Sequence, residues 1–144
     1  MSDLKVRRLD EKARIPTRAH DGDAGLDLYA LSDIELGPGE RATIRTGIAV
    51  QIPSGQAGLV LPRSGLAARH GIALVNAPGL IDAGYRGEIL VLLLNTDRSQ
   101  TCRLAAGERI AQLVLVCIES PHVHEVDELS ASARGSGGFG SSGR

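Results

Sequence analysis

Aromatic residues are scarce in this chain of 144 residues, which contains two Tyr, one Phe and no Trp. A core without large rings must be built from Val, Leu, Ile and Ala. Tyr29 continues a possible strand, whereas Tyr85 and Phe139 lie in glycine-rich segments outside any predicted core. Large rings outside a core usually pack against something, and a ligand is one candidate. Tyr85 and Phe139 are therefore candidate binding residues.

Charge of either sign is not in excess, because 16 Lys and Arg are balanced by 17 Asp and Glu, giving a net charge of -1. This balance indicates no basic surface for binding nucleic acid, although a few arginines can still converge on a small anion. No apolar run approaches the roughly 20 residues of a membrane span, and the N-terminus shows no apolar signal-peptide region. We expect a cytoplasmic protein without a membrane partner.

Cysteine is also rare, since only Cys102 and Cys117 are present. Two isolated cysteines are too few for a disulfide framework or a zinc cluster. We expect both to be buried, reduced thiols. The four histidines are scattered and do not indicate a metal site.

Short apolar runs separated by Gly and Pro turns dominate the chain from residue 41 onward. They are RATIRTGIAVQIP (41–53), AGLVLP (57–62), GIALVN (71–76), GEILVLLLN (87–95) and RIAQLVLVCIE (109–119). This spacing predicts an all-β fold, either a barrel or a jelly-roll-like sandwich. Residues 90–94 and 113–118 are apolar at nearly every position, so we expect both faces of these strands to be covered, the second by another subunit.

One short helix is predicted over residues 64 to 70, with Ser64 as its N-cap and Gly71 ending it. The segment PRSGLA places Arg63 and the Ser64 hydroxyl beside the first backbone amides of that helix. Such a combination suits a phosphate group. An ordinary Ser cap beside a surface Arg explains the same residues equally well.

The last residues, 131 to 144, are predicted to form a mobile arm that follows a β domain of residues 1 to 130. Five of residues 134 to 143 are Gly and three are Ser. Such a composition cannot form a core. A purely flexible tail has no use for Arg134 and Phe139, however, which points to a further role for the arm.

The segment NAPGLIDAGYRGEI (76–89) places Asp82 and Tyr85 among turn-forming residues, directly before an apolar run. A tight turn explains the glycines. It requires neither the carboxylate nor the ring. Taken alone, the segment is read more readily as a hairpin than as an active site.

Five segments, in order, resemble the motifs of the homotrimeric dUTP pyrophosphatase (dUTPase) family. They are DAGLDLYA, PRSGLA, GLIDAGYRGEI, GERIAQL and RGSGGFGSSG, between residues 23 and 143. Each is weak alone, but five in the right order at credible spacing are highly specific. The resemblance implies a jelly-roll-like β-barrel, a threefold-symmetric trimer and the hydrolysis of dUTP to dUMP and pyrophosphate with Mg²⁺. That reaction limits uracil in DNA and supplies dUMP for dTMP synthesis.

The resemblance also implies a role for each matching residue. Asp82 is similar to the general base that deprotonates the attacking water, and Tyr85 to the ring that leaves no room for a ribose 2′-hydroxyl. Asn76 begins the hairpin whose backbone pairs with the uracil edge, and Asp27 resembles the carboxylate that holds Mg²⁺ through water. The other implied substrate-binding residues are Arg63, Ser64, Gly65 and Gln112 on the phosphate side, and Arg134, Phe139, Ser141 and Ser142 on the arm, where Phe139 stacks on uracil.

Two residues depart from the family pattern. Leu80 stands where many relatives carry a small polar residue, and Ser142 where the arm often has Thr. We expect these changes to affect affinity and not the reaction.

Two other functions compete with this interpretation. A dCTP deaminase, or a bifunctional deaminase and diphosphatase, shares the fold but typically carries a glutamate and a tryptophan where this chain has Asp82 and Tyr85. A non-catalytic nucleotide-binding module is the second alternative, and it has no need of a positioned water base.

Overall fold

A computed structural model describes residues 3 to 143, and within this range the chain forms ten strands and one helix. In chain order these are β1 (Lys5–Arg8), β2 (Leu26–Tyr29), β3 (Ile34–Leu36), β4 (Arg41–Gln51), β5 (Gln56–Leu61), α1 (Ser64–His70), β6 (Ile72–Leu74), β7 (Gly79–Ile81), β8 (Glu88–Asn95), β9 (Cys102–Leu104) and β10 (Arg109–Cys117). The five predicted apolar runs correspond to β4, β5, β6, β8 and β10.

Eight strands form two four-stranded sheets, in the orders β1-β4-β8-β6 and β2-β10-β5-β7, and β3 pairs with β9. The pairs are antiparallel. Neighbouring strands are often distant in sequence, as where β10 lies between β2 and β5. The predicted all-β, jelly-roll-like fold is confirmed.

The two sheets contribute to one aliphatic core. Leu28 and Leu113 from one sheet and Ile48 and Val91 from the other are each at most 1% exposed. The described core residues include no aromatic side chain, as the composition predicts. Because no ring fills space there, the packing depends on many branched side chains.

Strand β8 is covered on one face within a single chain. Its Ile89, Val91 and Leu93 are buried, whereas Leu90 is exposed and Leu92 is half-buried. This alternation follows from the two-residue period of a strand. The expected cover on the second face is therefore not provided by the chain itself.

The helix α1 begins one residue earlier than its predicted cap requires. Arg63, not Ser64, is the N-cap, with extended φ and ψ of -94° and 127°, and no side chain caps the helix. Since Ser64 already has helical geometry, its hydroxyl cannot take the capping position, and this prediction is wrong. Gly71 ends the helix as predicted, with a left-handed φ of 63°.

The two cysteines differ in environment, which corrects one of the two predictions. Cys102 is buried in β9, while Cys117 is exposed at the end of β10, where the sheet stops. Burial, with a smaller effect of the Glu108 carboxylate, raises the pKa of the Cys102 thiol. No helix in the described range could cross a membrane. Residues 118 to 143 contain neither helix nor strand.

Candidate active site

Asp82 and Tyr85 lie in the turn that joins β7 to β8. The Tyr85 backbone N–H donates to the Asp82 carbonyl oxygen at 3.0 Å, which closes the turn. Ile81 points into the core, so strand alternation leaves Asp82 exposed on the opposite side. The short strand β7 therefore determines where this carboxylate is presented.

A cavity of about 190 Å³ is lined by Asp82, Tyr85 and Asn76 together. Its apolar wall comes from β5 to β8 and includes Val60, Leu74, Leu80 and Ile81. An apolar wall with a few polar groups is the usual composition of a small-molecule site. The structure thus places three residues around one cavity: Asn76, implied for uracil, Tyr85, implied for the deoxyribose, and Asp82, implied for the attacking water.

Glu88 anchors the turn to the rest of the sheet and was not predicted. Its carboxylate accepts a hydrogen bond from Gly47 N at 2.8 Å and lies 3.2 Å from Arg45 Nε. Gly47 lies where the β4–β8 register shifts, and its φ is 70°. A side chain there would meet Ala13 and Leu31 at 2.9 Å, so the bulge requires glycine.

The phosphate-side residues line a second cavity, of about 350 Å³. Its wall contains Asp27, Arg63, Ser64, Gly65 and Gln112. Asp27 comes from β2 and Gln112 from β10, which are paired directly opposite each other. The residues from three of the sequence motifs are therefore adjacent in space.

Asp27 is bracketed by two guanidinium groups. Its Oδ1 lies 3.5 Å from Arg63 Nε, and its Oδ2 lies 3.3 Å from Arg109 Nη1. Arg63 also donates from Nη1 to the Arg109 carbonyl oxygen at 3.2 Å. Arg109 was not predicted, although it stands in GERIAQL with Gln112; a β-bulge between Arg109 and Ala111 sets its direction.

Gln112 holds two segments of this cavity together. Its Nε2 donates to the Pro62 carbonyl oxygen at 3.0 Å. Gly25 faces the same amide, and a Cβ at Gly25 would overlap Gln112 Oε1. The side chain therefore fixes the segment before α1 against the segment before β2.

The arm residues are apart from both cavities. Arg134, Phe139, Ser141 and Ser142 are exposed, and none of them lines either cavity in the described structure. Arg134 Nε donates only locally, to the Gly137 carbonyl oxygen at 2.8 Å. A single chain thus gathers the predicted site residues into two groups and leaves the arm separate.

The donor set on the phosphate side fits one way of holding Mg²⁺. The described residues contain no group of three or more His, Cys, Asp or Glu side chains arranged for a metal. Binding through water to the Asp27 carboxylate, with substrate phosphates as further ligands, needs only one carboxylate.

Sequence comparison identifies close relatives across almost the whole chain. A family model described as dUTPase matches residues 11 to 143. The deoxyuridine 5′-triphosphate nucleotidohydrolase of Thermobifida fusca is 59% identical over 140 residues, covering 97% of this chain and 78% of that protein. The protein of the same name from Mycolicibacterium gilvum is 57% identical over 145 residues, covering 97% and 94%.

Solved structures give the same result. The Staphylococcus bacteriophage 80alpha dUTPase with dUPNHPP has a TM-score of 0.92 at 35% identity, and the match covers 100% of both chains. A mutant dUTPase of phage phi11 of S. aureus, described with a structural Mg(II) ion, has a TM-score of 0.84 at 32% identity, covering 90% of this chain and 100% of that one.

Proposed function

The chain belongs to the dUTPase family and is a dUTP diphosphatase, and we propose that Asp82 is its general base. The observation that carries this proposal is the shared cavity of Asp82, Tyr85 and Asn76. The Asp82 carboxylate takes a proton from water as the water oxygen attacks the α-phosphorus. The bond from that phosphorus to its bridging oxygen breaks, and dUMP and pyrophosphate are the products.

The expected hairpin is not formed, because β6 pairs with β8 and β7 with β5 in different sheets, and the connection from β6 to β7 provides the uracil site. Asn76 lies in this connection and lines the cavity, and backbone N–H and C=O groups there would pair with the donors and acceptors of the uracil edge. Cytosine has a different pattern, so it leaves buried polar groups unpaired, which is costly. Leu80, on the same cavity wall, adds apolar contact and changes affinity without changing the reaction.

The second cavity holds the phosphate chain. Arg63 supplies charge, Ser64 and Gly65 supply polar backbone and hydroxyl groups, and Gln112 fixes the segment that carries them. Asp27 would hold Mg²⁺ through water, and the ion would neutralise charge on the phosphates. Arg109 keeps Asp27 in position by its ion pair.

A complete site requires more than one subunit. The two cavities carry different parts of the substrate-binding set, and Arg134, Phe139, Ser141 and Ser142 lie in neither. We infer, as the family resemblance implies, a homotrimer in which the arm, residues 131 to 144, closes over a site built by other subunits. The open face of β8 is consistent with such contacts. Closure excludes water, stacks Phe139 on uracil and brings Arg134 and the arm serines to the phosphates.

In the cell, this activity limits uracil in DNA and supplies dUMP for dTMP synthesis, and we place it in the cytoplasm. The decisive test is release of pyrophosphate from dUTP, dCTP, dTTP and UTP with Mg²⁺. We expect strong preference for dUTP. Ammonia release from dCTP would indicate the deaminase alternative, and binding without pyrophosphate release would indicate a non-catalytic module. Sedimentation as a monomer would contradict the shared site.

A further inference from the structure

The ring of Tyr85 rests directly over Gly87. A Cβ built on Gly87 would overlap the Tyr85 hydroxyl oxygen and would lie 2.7 Å from Cζ and 3.0 Å from Cε2. The approaches to the hydroxyl oxygen and Cζ are closer than real Cβ atoms make, and the approach to Cε2 is tighter than most. The ring can therefore occupy this position only because residue 87 has no side chain.

The same ring is held by a hydrogen bond at its far end. The Tyr85 hydroxyl donates to the Glu88 carbonyl oxygen at 2.9 Å. Glu88 is itself fixed, because its carboxylate accepts from Gly47 N at 2.8 Å. Because Tyr85 is 45% exposed, these contacts hold the ring more than its packing against other side chains does.

We propose that Gly87 and the Glu88 carbonyl together set the ring position of Tyr85, which makes Gly87 a positioning residue for selection of the sugar. The inference rests on the proposed role of Tyr85 against the deoxyribose. A ring displaced from Gly87 no longer closes the space that a 2′-hydroxyl would occupy. Gly87 thus controls discrimination between 2′-deoxyribonucleoside and ribonucleoside triphosphates, although it does not touch the substrate.

Gly84, in the same turn, offers a matched control. A Cβ at Gly84 meets nothing within 4 Å, and neither Gly84 nor Gly87 has a positive φ. Replacement of either glycine by alanine therefore costs no backbone strain and removes the same chain freedom. The two substitutions differ in the contact with Tyr85.

The experiment measures kcat/KM for dUTP and for UTP in the wild type and in Gly87→Ala, Gly84→Ala and Tyr85→Ala. For Gly87→Ala we expect kcat/KM for dUTP to fall about tenfold, and the ratio of dUTP to UTP to fall by a similar factor, because small misplacements near reacting groups are costly. Gly84→Ala should stay within about twofold of the wild type. Selectivity in Gly87→Ala equal to that of Gly84→Ala would overturn the inference.

A double variant separates positioning from a general structural effect. In the Tyr85→Ala background, Gly87→Ala should leave the ratio of dUTP to UTP unchanged, because the residue through which it acts is gone. A further fall in the ratio there would contradict the inference. If Tyr85→Ala keeps the wild-type ratio of dUTP to UTP, the proposed role of Tyr85 in selecting the sugar fails. If Tyr85→Ala lowers this ratio but Gly87→Ala does not, the role of Tyr85 stands and the inference about Gly87 fails.

Tyr85→Phe keeps the test decisive if Gly87→Ala does not fold. This change removes the hydrogen bond to the Glu88 carbonyl and fills no space. We expect the ratio of dUTP to UTP to fall about three- to tenfold, as for loss of one hydrogen bond. An unchanged ratio would show that the bond to Glu88 does not set the ring position.

Discussion

Arg109 Nη1 lies 3.3 Å from Asp27 Oδ2, while Arg63 Nε lies 3.5 Å from the other oxygen of the same carboxylate. The Asp27 side chain is 14% exposed and that of Arg109 is 46% exposed. The carboxylate is thus well withdrawn from water and shared between two cations. Its loss would leave two guanidinium groups near each other without their common anion, so Asp27 organises this side of the site.

Asp27→Asn should raise the Mg²⁺ concentration that gives half-maximal hydrolysis of dUTP by about tenfold. The amide keeps the shape of the side chain but not the charge that holds a hydrated cation. A titration of activity with Mg²⁺ measures this. Asp21→Asn is the control, because Asp21 is exposed in the same segment and lines neither cavity. Equal Mg²⁺ dependence in both variants would remove Asp27 as the metal carboxylate.

Arg109→Ala should lower kcat/KM for dUTP about tenfold, since Asp27 loses one of its two partners and Arg63 loses a fixed neighbour. Arg109→Lys keeps the charge but not the planar fork, so it should recover only part of the activity. Steady-state kinetics of the two variants measure the effect. Full activity of Arg109→Ala would show that Arg63 alone holds Asp27.

Asp82→Asn should fold and assemble normally but lose at least about 100-fold in kcat, in the range expected for loss of a general base. The side chain is exposed in a turn, so its charge is not needed for the core. Single-turnover assays with dUTP measure the chemical step directly. Retention of wild-type kcat would exclude Asp82 as the base.

The sequence predicts the long aliphatic strands well, because β4, β8 and β10 carry many Val, Leu and Ile residues between clear turns. It does not reveal β1, whose residues KVRR are charged and largely exposed. It also misses β3 and β9, which have three residues each and depend on pairing with one another. Such short strands form because the surrounding fold brings them together.

The candidate site, like the fold, has parts that the sequence predicts and parts that depend on the folded structure. Asp82, Tyr85 and Asn76 are close in sequence, so their proximity could be predicted. Arg109 depends on a β-bulge, and the contact of Gly87 with the Tyr85 ring depends on a side-chain rotamer. Neither leaves a pattern in a single sequence. The separation of the two cavities likewise depends on the path of the whole chain.

Asn95→Ala should lower the free energy of unfolding by about 3 kcal/mol, because buried groups lose their partners. Asn95 is fully buried, and its Nδ2 donates to the carbonyl oxygens of Leu36 and Gln100, at 2.9 and 2.8 Å. Urea unfolding at one fixed protein concentration measures the change. Asn76→Ala, at an exposed position, should change stability by less than about 0.5 kcal/mol. Equal effects would contradict a structural role for Asn95.

Asp97 should make stability depend on pH. Hydrogen bonds from the backbone N–H groups of Ser99 and Gln100 lower the pKa of its carboxyl. Because the pKa is lower in the folded state than in the unfolded state, the ionised carboxylate stabilises the fold at pH values above the unfolded-state pKa. This contribution is lost as the pH falls below about 4. The difference in urea midpoint between wild type and Asp97→Asn should therefore shrink from pH 7 to pH 3. A constant difference would show that the charge of Asp97 is not responsible.

Truncation after Ala133 should leave the assembly and its stability intact but lower kcat/KM for dUTP at least about 100-fold. The described hydrogen bonds of residues 134 to 143 all stay within the arm, reaching no further back than Ser132, so the core loses no partner. The activity falls because the truncated chain lacks Arg134 and Phe139, which are proposed to contact the substrate. Phe139→Ala isolates the stacking contribution, worth about 1–3 kcal/mol per base, and should raise KM more than it lowers kcat. Sedimentation measures the assembly of the two variants, and steady-state kinetics measure their activity. If the arm is only a tail and does not close the site, both variants would match the wild type.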